Sequence, residues 1–315
     1  MYVNRYKILF SLLACLLFAA SVWYIVEHFQ WREVFAYLLR VDYVKLIGLV
    51  WLIHFAYICV RTWRWQVVVR YANSEVRFID LYWITAVMVS LSIITPGQLG
   101  ETLKIELLKR RGLLGRLPGL GGFAVERILD LLVIAGMGVV GLVFGSGISE
   151  RNPGLELGVA FLLMLGLIAL YLIFRFNPGG QASRWLSRMR SGSGSPLIWT
   201  KMGILTILSW CLVGAGWQVS LYAVGIHLAL PETLWLVALV TIGTLLSFIP
   251  GGLGVAEVLT VHAIENMGVA SILAQTGALA LRGYSIIVLL FGTTHLVPWI
   301  IYWLVLKVRY HDSTH

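Results

Sequence analysis

Five ionisable residues stand where apolar membrane sequence rarely carries them. Glu101 and Glu257 each follow a Pro-Gly pair by a few residues, and Arg127, Asp130 and Arg282 lie within or beside long apolar runs. A charge at that depth is costly, so each is a functional candidate by default. An arginine fork matches a phosphate bidentately, while a carboxylate there could neutralise a headgroup amine, take up a proton or pair with an arginine. Arg127, in the run Glu126-Arg127-Ile128-Leu129-Asp130, has Asp130 three residues on and so on its own helix face. Pairing of these acids with these arginines purely to hold helices together is the competing reading.

The Pro-Gly pairs open two similar pentapeptides, Pro96-Gly97-Gln98-Leu99-Gly100 and Pro250-Gly251-Gly252-Leu253-Gly254. Gly97, Gly100, Gly251, Gly252 and Gly254 permit tight turns and close backbone approach. A helix starting just beyond such a turn aims free N–H groups at whatever lies before it and suits an anion; close helix packing through small residues is the plainer use. Lys104, Lys109 and Arg110, with Glu106 and Arg111 among them, read as an amphipathic cytoplasmic segment that grips anionic headgroups or simply anchors the chain at the surface. Gln66 and Gln218 suit interhelical hydrogen bonds. His54 and His295 read as packing residues, and Cys15, Cys59 and Cys211 lack metal-ligand or disulfide spacing.

The elements that must position these residues are membrane helices. Of 315 residues, 59% are hydrophobic and 12% charged, far below the charge of a soluble domain. Stretches near the roughly 20 residues needed to cross a bilayer run over Ile8–Val26, Val44–Val60, Phe123–Phe144, Leu155–Phe176, Gly203–Val224 and Tyr284–Leu306. Two more, Phe78–Thr95 and Leu234–Ile249, stop at the Pro-Gly pairs. If all eight crossed, Lys and Arg would concentrate outside; if the two Pro-Gly runs turn back as re-entrant hairpins, eighteen fall inside and five outside, as the positive-inside rule requires.

The same sequence repeats at half its length. Trp65-Gln66-Val67 returns as Trp217-Gln218-Val219, the Pro-Gly pentapeptides correspond, and Arg282 answers Arg127. The expected fold is therefore an all-α polytopic membrane protein with about six full transmembrane helices and two re-entrant helical hairpins, in two inverted-topology repeats; eight plain transmembrane helices are the alternative. The halves fall at 1–150, with its hairpin at 78–116, and 151–315, with its hairpin at 232–270. Inverted repeats with broken helices are a transporter architecture.

In these blocks the chain resembles a known family, the flippase-like membrane region of lysylphosphatidylglycerol synthases and related stand-alone membrane proteins. The matching stretches are Thr95–Gly112, Ala124–Leu132 and Phe248–Ile264 followed by an arginine. The resemblance implies movement of aminoacylated or other polar-headed lipids between leaflets. The sequence ends nine residues after the last apolar span, so no aminoacyl-transferase domain is expected with it.

Together these features predict a lipid transporter of the bacterial inner membrane, multi-pass, with both termini cytoplasmic, membrane lipids as its partners and no cofactor. A non-catalytic partner that supplies lipid to a separate glycosyltransferase or aminoacyl transferase is the alternative, and a homo-oligomer is compatible with either. No enzyme is expected, for HExxH, GxSxG, phosphate-loop and paired Cys/His patterns are missing, and nothing in the sequence suggests nucleic acid.

Overall fold

The computed structural model describes residues 2–70, 76–95, 100–145, 168 and 195–312. Its helices are α1 (Tyr2–His28), α2 (Trp31–Leu38), α3 (Tyr43–Arg70), α4 (Phe78–Ser92), α5 (Leu103–Arg110), α6 (Arg116–Phe144), α7 (Ser195–Tyr222), α8 (Leu230–Ser247), α9 (Val255–Asn266) and α10 (Ser271–Asp312). No strand occurs among the described residues, and the chain is an all-α polytopic membrane protein. Apart from Ile168, the expected span Leu155–Phe176 lies outside the described residues, as do the basic loop after it as far as Gly194, and Gly97.

Among the described residues, five helices are long and apolar enough to cross a bilayer: α3, α6, α7 from Pro196, α8, and α10 as far as Ile301. The α4 helix, 15 residues, is shorter. The α8 helix, 18 residues, is long enough by itself, so the two Pro-Gly-terminated helices differ in reach. Helix limits also differ from the apolar runs. The α3 helix continues past Val60 to Arg70, α6 starts at Arg116 rather than Phe123, and α10 at Ser271 rather than Tyr284. Hydropathy ends a span at its first charges, whereas a helix whose charges are paired inside the protein has no reason to stop there.

Local chemistry sets the hairpins. The α8 helix opens with Pro231 in its first turn, and the Glu232 carboxylate accepts the Ala229 N–H at 2.8 Å, as in half of a capping box. Its end is abrupt: Phe248 adopts a left-handed φ of 52°, and Pro250 cannot continue the helix. Gly251, Gly252 and Gly254 carry φ values of 64°, 60° and 83°, which side chains with a Cβ rarely adopt. The α9 helix then starts and packs back on α8. Beyond the other Pro-Gly pair, Gly100 N–H donates to Thr95 Oγ1 at 2.8 Å and begins a 3-10 turn into α5.

Packing crosses between the two halves of the chain. The α3 and α7 helices lie together, α6 packs on α8, and α4 packs on α10, so the last helix of each half covers the Pro-Gly-terminated helix of the other. The α6–α8 contact is close at Gly141, where a Cβ would lie 2.5 Å from Trp235 Cβ and 2.8 Å from the Pro231 carbonyl. Backbone cannot yield as a side-chain tip can, so Gly141→Leu is expected to destabilise the protein by about 1–3 kcal/mol. Gly136→Leu, one turn or so earlier where a Cβ meets nothing within 4 Å, is the control; tryptophan-fluorescence melting in detergent should drop for the first variant alone.

Candidate functional site

Spacings of three, four and three residues put His54, Tyr57, Arg61 and Arg64 on one face of α3, while Phe55 and Trp63 face outward, 45% and 52% exposed. The two arginines organise a buried ionic cluster. Arg64 donates Nε to Glu126 Oε1 at 2.9 Å, and Nη1 to Asp130 Oδ1 at 2.7 Å and to Thr206 Oγ1 at 2.9 Å. Arg61 Nη2 donates to both oxygens of Glu101 at 2.8 and 2.7 Å, and its Nη1 approaches Asp130 Oδ2 at 3.4 Å.

Lys104 Nζ sits 3.4 Å from Glu101 and 3.5 Å from Glu126, and 4.1 Å over the Trp65 ring. Arg127 Nη2 stands 3.1 Å from both Glu101 and Asp130, with its guanidinium 5.0 Å over Phe123. Trp210 Nε1 donates to Asp130 Oδ1 at 3.1 Å. Charges this deep are tolerated because nearly every one has more than one opposite partner. All are at most 4% exposed except Arg127, at 28%.

A smaller pair stands opposite. Arg282 Nε donates to Glu257 Oε1, and Arg282 Nη1 donates to the Gly251 carbonyl at 2.9 Å. The other Glu257 oxygen accepts the Gly254 N–H at 2.8 Å, capping α9. One arginine thus holds both the tip of the hairpin and the acid that starts its second helix.

Both groups line one cavity of about 190 Å³. Tyr57, Arg61, Glu101 and Arg127 border it on one side, and Gly251, Gly252, Glu257 and Arg282 on the other. The second Pro-Gly turn meets the end of α4 there, since a Cβ on Gly251 would come 3.4 Å from the Ile93 carbonyl.

The halves match in detail. Arg127 is the twelfth residue of the helix that starts at Arg116, and Arg282 the twelfth of the helix that starts at Ser271; each pairs with the acid that follows its half's Pro-Gly turn. Gln66 donates to the Val76 carbonyl at 3.1 Å and Gln218 to the Leu228 carbonyl at 3.3 Å, in both cases ten residues on.

Of the residues singled out from sequence, Glu101, Arg127, Glu257, Arg282, Gly251 and Gly252 line the cavity. Asp130 backs it through Arg61 and Arg127. Gly100 and Gly254 shape the turns, Gly254 against Ser21 of α1. Two expectations are corrected. Arg127 does not stand near the start of its helix, as the apolar run Phe123–Phe144 implies, because α6 begins a full three turns earlier. Lys104 is not a surface residue: it is 1% exposed, because on a helix it points about 140° away from Lys109.

Lys109 and Arg110 are exposed as expected. Beside them, hydrogen bonds from Arg116 and then Arg110 hold the Glu106 carboxyl below the usual carboxylate range. His295 shares a 3.0 Å hydrogen bond with Tyr82 Oη, and His54 shares one of 3.3 Å with Ser90. The three cysteines are free. No cluster able to hold a metal ion occurs among the described residues.

Sequence reasoning missed Arg61, Arg64 and the part played by Glu126, because Arg61 and Arg64 follow an apolar run and read as cytoplasmic loop charges. The polar stripe at positions 54, 57, 61 and 64 was the available signal. Set against known proteins, the chain matches a family model described as the lysylphosphatidylglycerol synthase TM region over residues 11–292. No curated protein matches it.

Proposed function

The chain belongs to the lysylphosphatidylglycerol synthase TM region family, and from that membership we propose that it carries a polar-headed or anionic lipid between the leaflets of its membrane. The observation behind this reading is one cavity bordered by both arginine–glutamate pairs and by Gly251 and Gly252 of the second Pro-Gly turn. Residues 1–150 and 151–315 act as inverted repeats, each with a re-entrant hairpin, and the cavity opens alternately to either side as the halves shift. Arg127 and Arg282 receive the headgroup phosphate, while Glu101 and Glu257 hold those arginines when no lipid is bound. The protein makes and breaks no covalent bond, and requires no cofactor.

The membrane is a bacterial inner membrane with both termini cytoplasmic. Arg61, Arg64 and Lys104 leave the tally of loop charges because they are buried, and Arg282 because it lines the cavity, so fifteen (18 − 3) cytoplasmic Lys and Arg stand against four (5 − 1) outside. That excess favours this orientation. A second role, supplying lipid to a separate transferase, is favoured by the family's description as the membrane region of a synthase.

Purified protein in liposomes should move a fluorescent lipid between leaflets. The Glu101→Gln/Glu257→Gln double variant should slow that movement by about tenfold or more, the loss of a charged hydrogen bond at each end. Folded wild-type protein that moves no lipid would end the transport reading and leave the supplying role.

A further inference from the structure

The charge around the cavity does not balance. Among the described residues, the larger cluster holds four cations against three carboxylates, and the Arg282 pair adds one of each. Five against four leaves one positive charge in a site walled by apolar helices. Such an excess is expensive without a counter-charge.

The donors tell the same story. Arg61 Nε, Arg127 Nε and Arg282 Nη2 are buried N–H groups with no acceptor, and all three residues line the cavity. Buried donors left unpaired in a native protein call for an explanation, and an arriving oxyanion supplies acceptors for these after small side-chain turns.

We propose that the cavity selects a singly charged anion, a phosphodiester, and turns away headgroups of net positive charge. One negative charge brings the whole assembly to neutrality. A phosphomonoester, at about −1.5 to −2 near neutral pH, overshoots. An aminoacylated headgroup such as a lysylated one, whose two ammonium groups outweigh its phosphodiester, adds to the excess instead of cancelling it. This substrate class rests on the transport reading above, and narrows it from polar-headed lipids to anionic ones.

The test is ligand-induced thermal stabilisation of the full-length protein in detergent, titrated with phosphatidylglycerol, its lysylated derivative, glycerophosphoglycerol and inorganic phosphate, beside leaflet movement of the two lipids in liposomes. Phosphatidylglycerol should bind at least about tenfold more tightly than the lysylated lipid, since like charges brought together cost several kcal/mol. Glu257→Gln, which adds to the positive excess, should widen that preference while slowing movement. Arg282→Gln, which removes the excess, should narrow it.

The paired Glu257→Gln/Arg282→Gln variant restores the original charge, so a wild-type preference in it shows that charge is what is read. Equal or tighter binding of the lysylated lipid overturns the proposal. Inorganic phosphate or glycerophosphoglycerol stabilising as well as phosphatidylglycerol overturns the lipid source and makes the ligand a free anion. If neither lipid moves between leaflets yet the anionic one still binds selectively, the charge preference stands and the transport reading falls.

Discussion

Arg64→Ala is expected to remove the folded protein from the membrane fraction rather than tune its activity. Arg64 is fully buried and bonds to Glu126, Asp130 and Thr206 at once. Truncation leaves two carboxylates facing each other with fewer cations between them. Deleting one partner of a buried ion pair costs about 3–5 kcal/mol, which is a large part of the stability of a typical protein. Size-exclusion profiles of a fluorescent fusion should show aggregate in place of the monodisperse peak, and any folded fraction should melt at lower temperature.

Trp63→Ala, the exposed neighbour, should behave like wild type. The triple replacement Arg64→Met/Glu126→Gln/Asp130→Asn removes the charges together and should recover much of the loss, because exchanging a whole buried ionic group for uncharged side chains is often close to neutral. A stable Arg64→Ala protein would mean that the cluster does not hold α3, α6 and α7 together.

Arg282 should behave in the opposite way, with movement lost and the fold kept. It is 19% exposed and belongs to a single ion pair, so its removal frees Glu257 into a cavity and not into a packed core. What is lost is a clamp: the same guanidinium holds Glu257 and the Gly251 carbonyl. Arg282→Ala removes two charge-assisted bonds, each worth about 1.5–3 kcal/mol, and should slow leaflet movement by about a hundredfold or more. Arg282→Lys keeps the charge but has no planar fork with which to span both acceptors, so it should retain part of the rate, losing about tenfold. Equal rates for Ala, Lys and wild type, all folded, would remove Arg282 from the pathway.

The extent to which this arrangement could be read in the amino-acid sequence varied with the kind of signal. Apolar runs reported α3, α6, α7 and α10 because burial in lipid and in protein demand the same side chains. The Pro-Gly turns, and the arginine one helix later in each half, were visible as a repeat, and they led directly to Glu101, Arg127, Glu257 and Arg282. Glu126, Arg61, Arg64 and Lys104 were not, for a physical reason. Hydropathy treats every charge as a cost, and it cannot see that Arg64 and Asp130, 66 residues apart, cancel one another. Lys104 was misassigned because Lys109 and Arg110 nearby do belong to the surface, and composition over a short segment averages its two faces.

The way the halves cover one another bears on how the protein is made. The α4 helix emerges early, yet its main cover is α10, the last helix described; α1 packs on α9, and α8 waits for nothing because α6 precedes it. During synthesis α4 must therefore reside in the bilayer, or against a chaperone, until most of the chain has been inserted. Neither half can close alone, so a truncated first half is a substrate for quality-control proteolysis, whereas the two halves expressed as separate polypeptides should assemble into one working molecule.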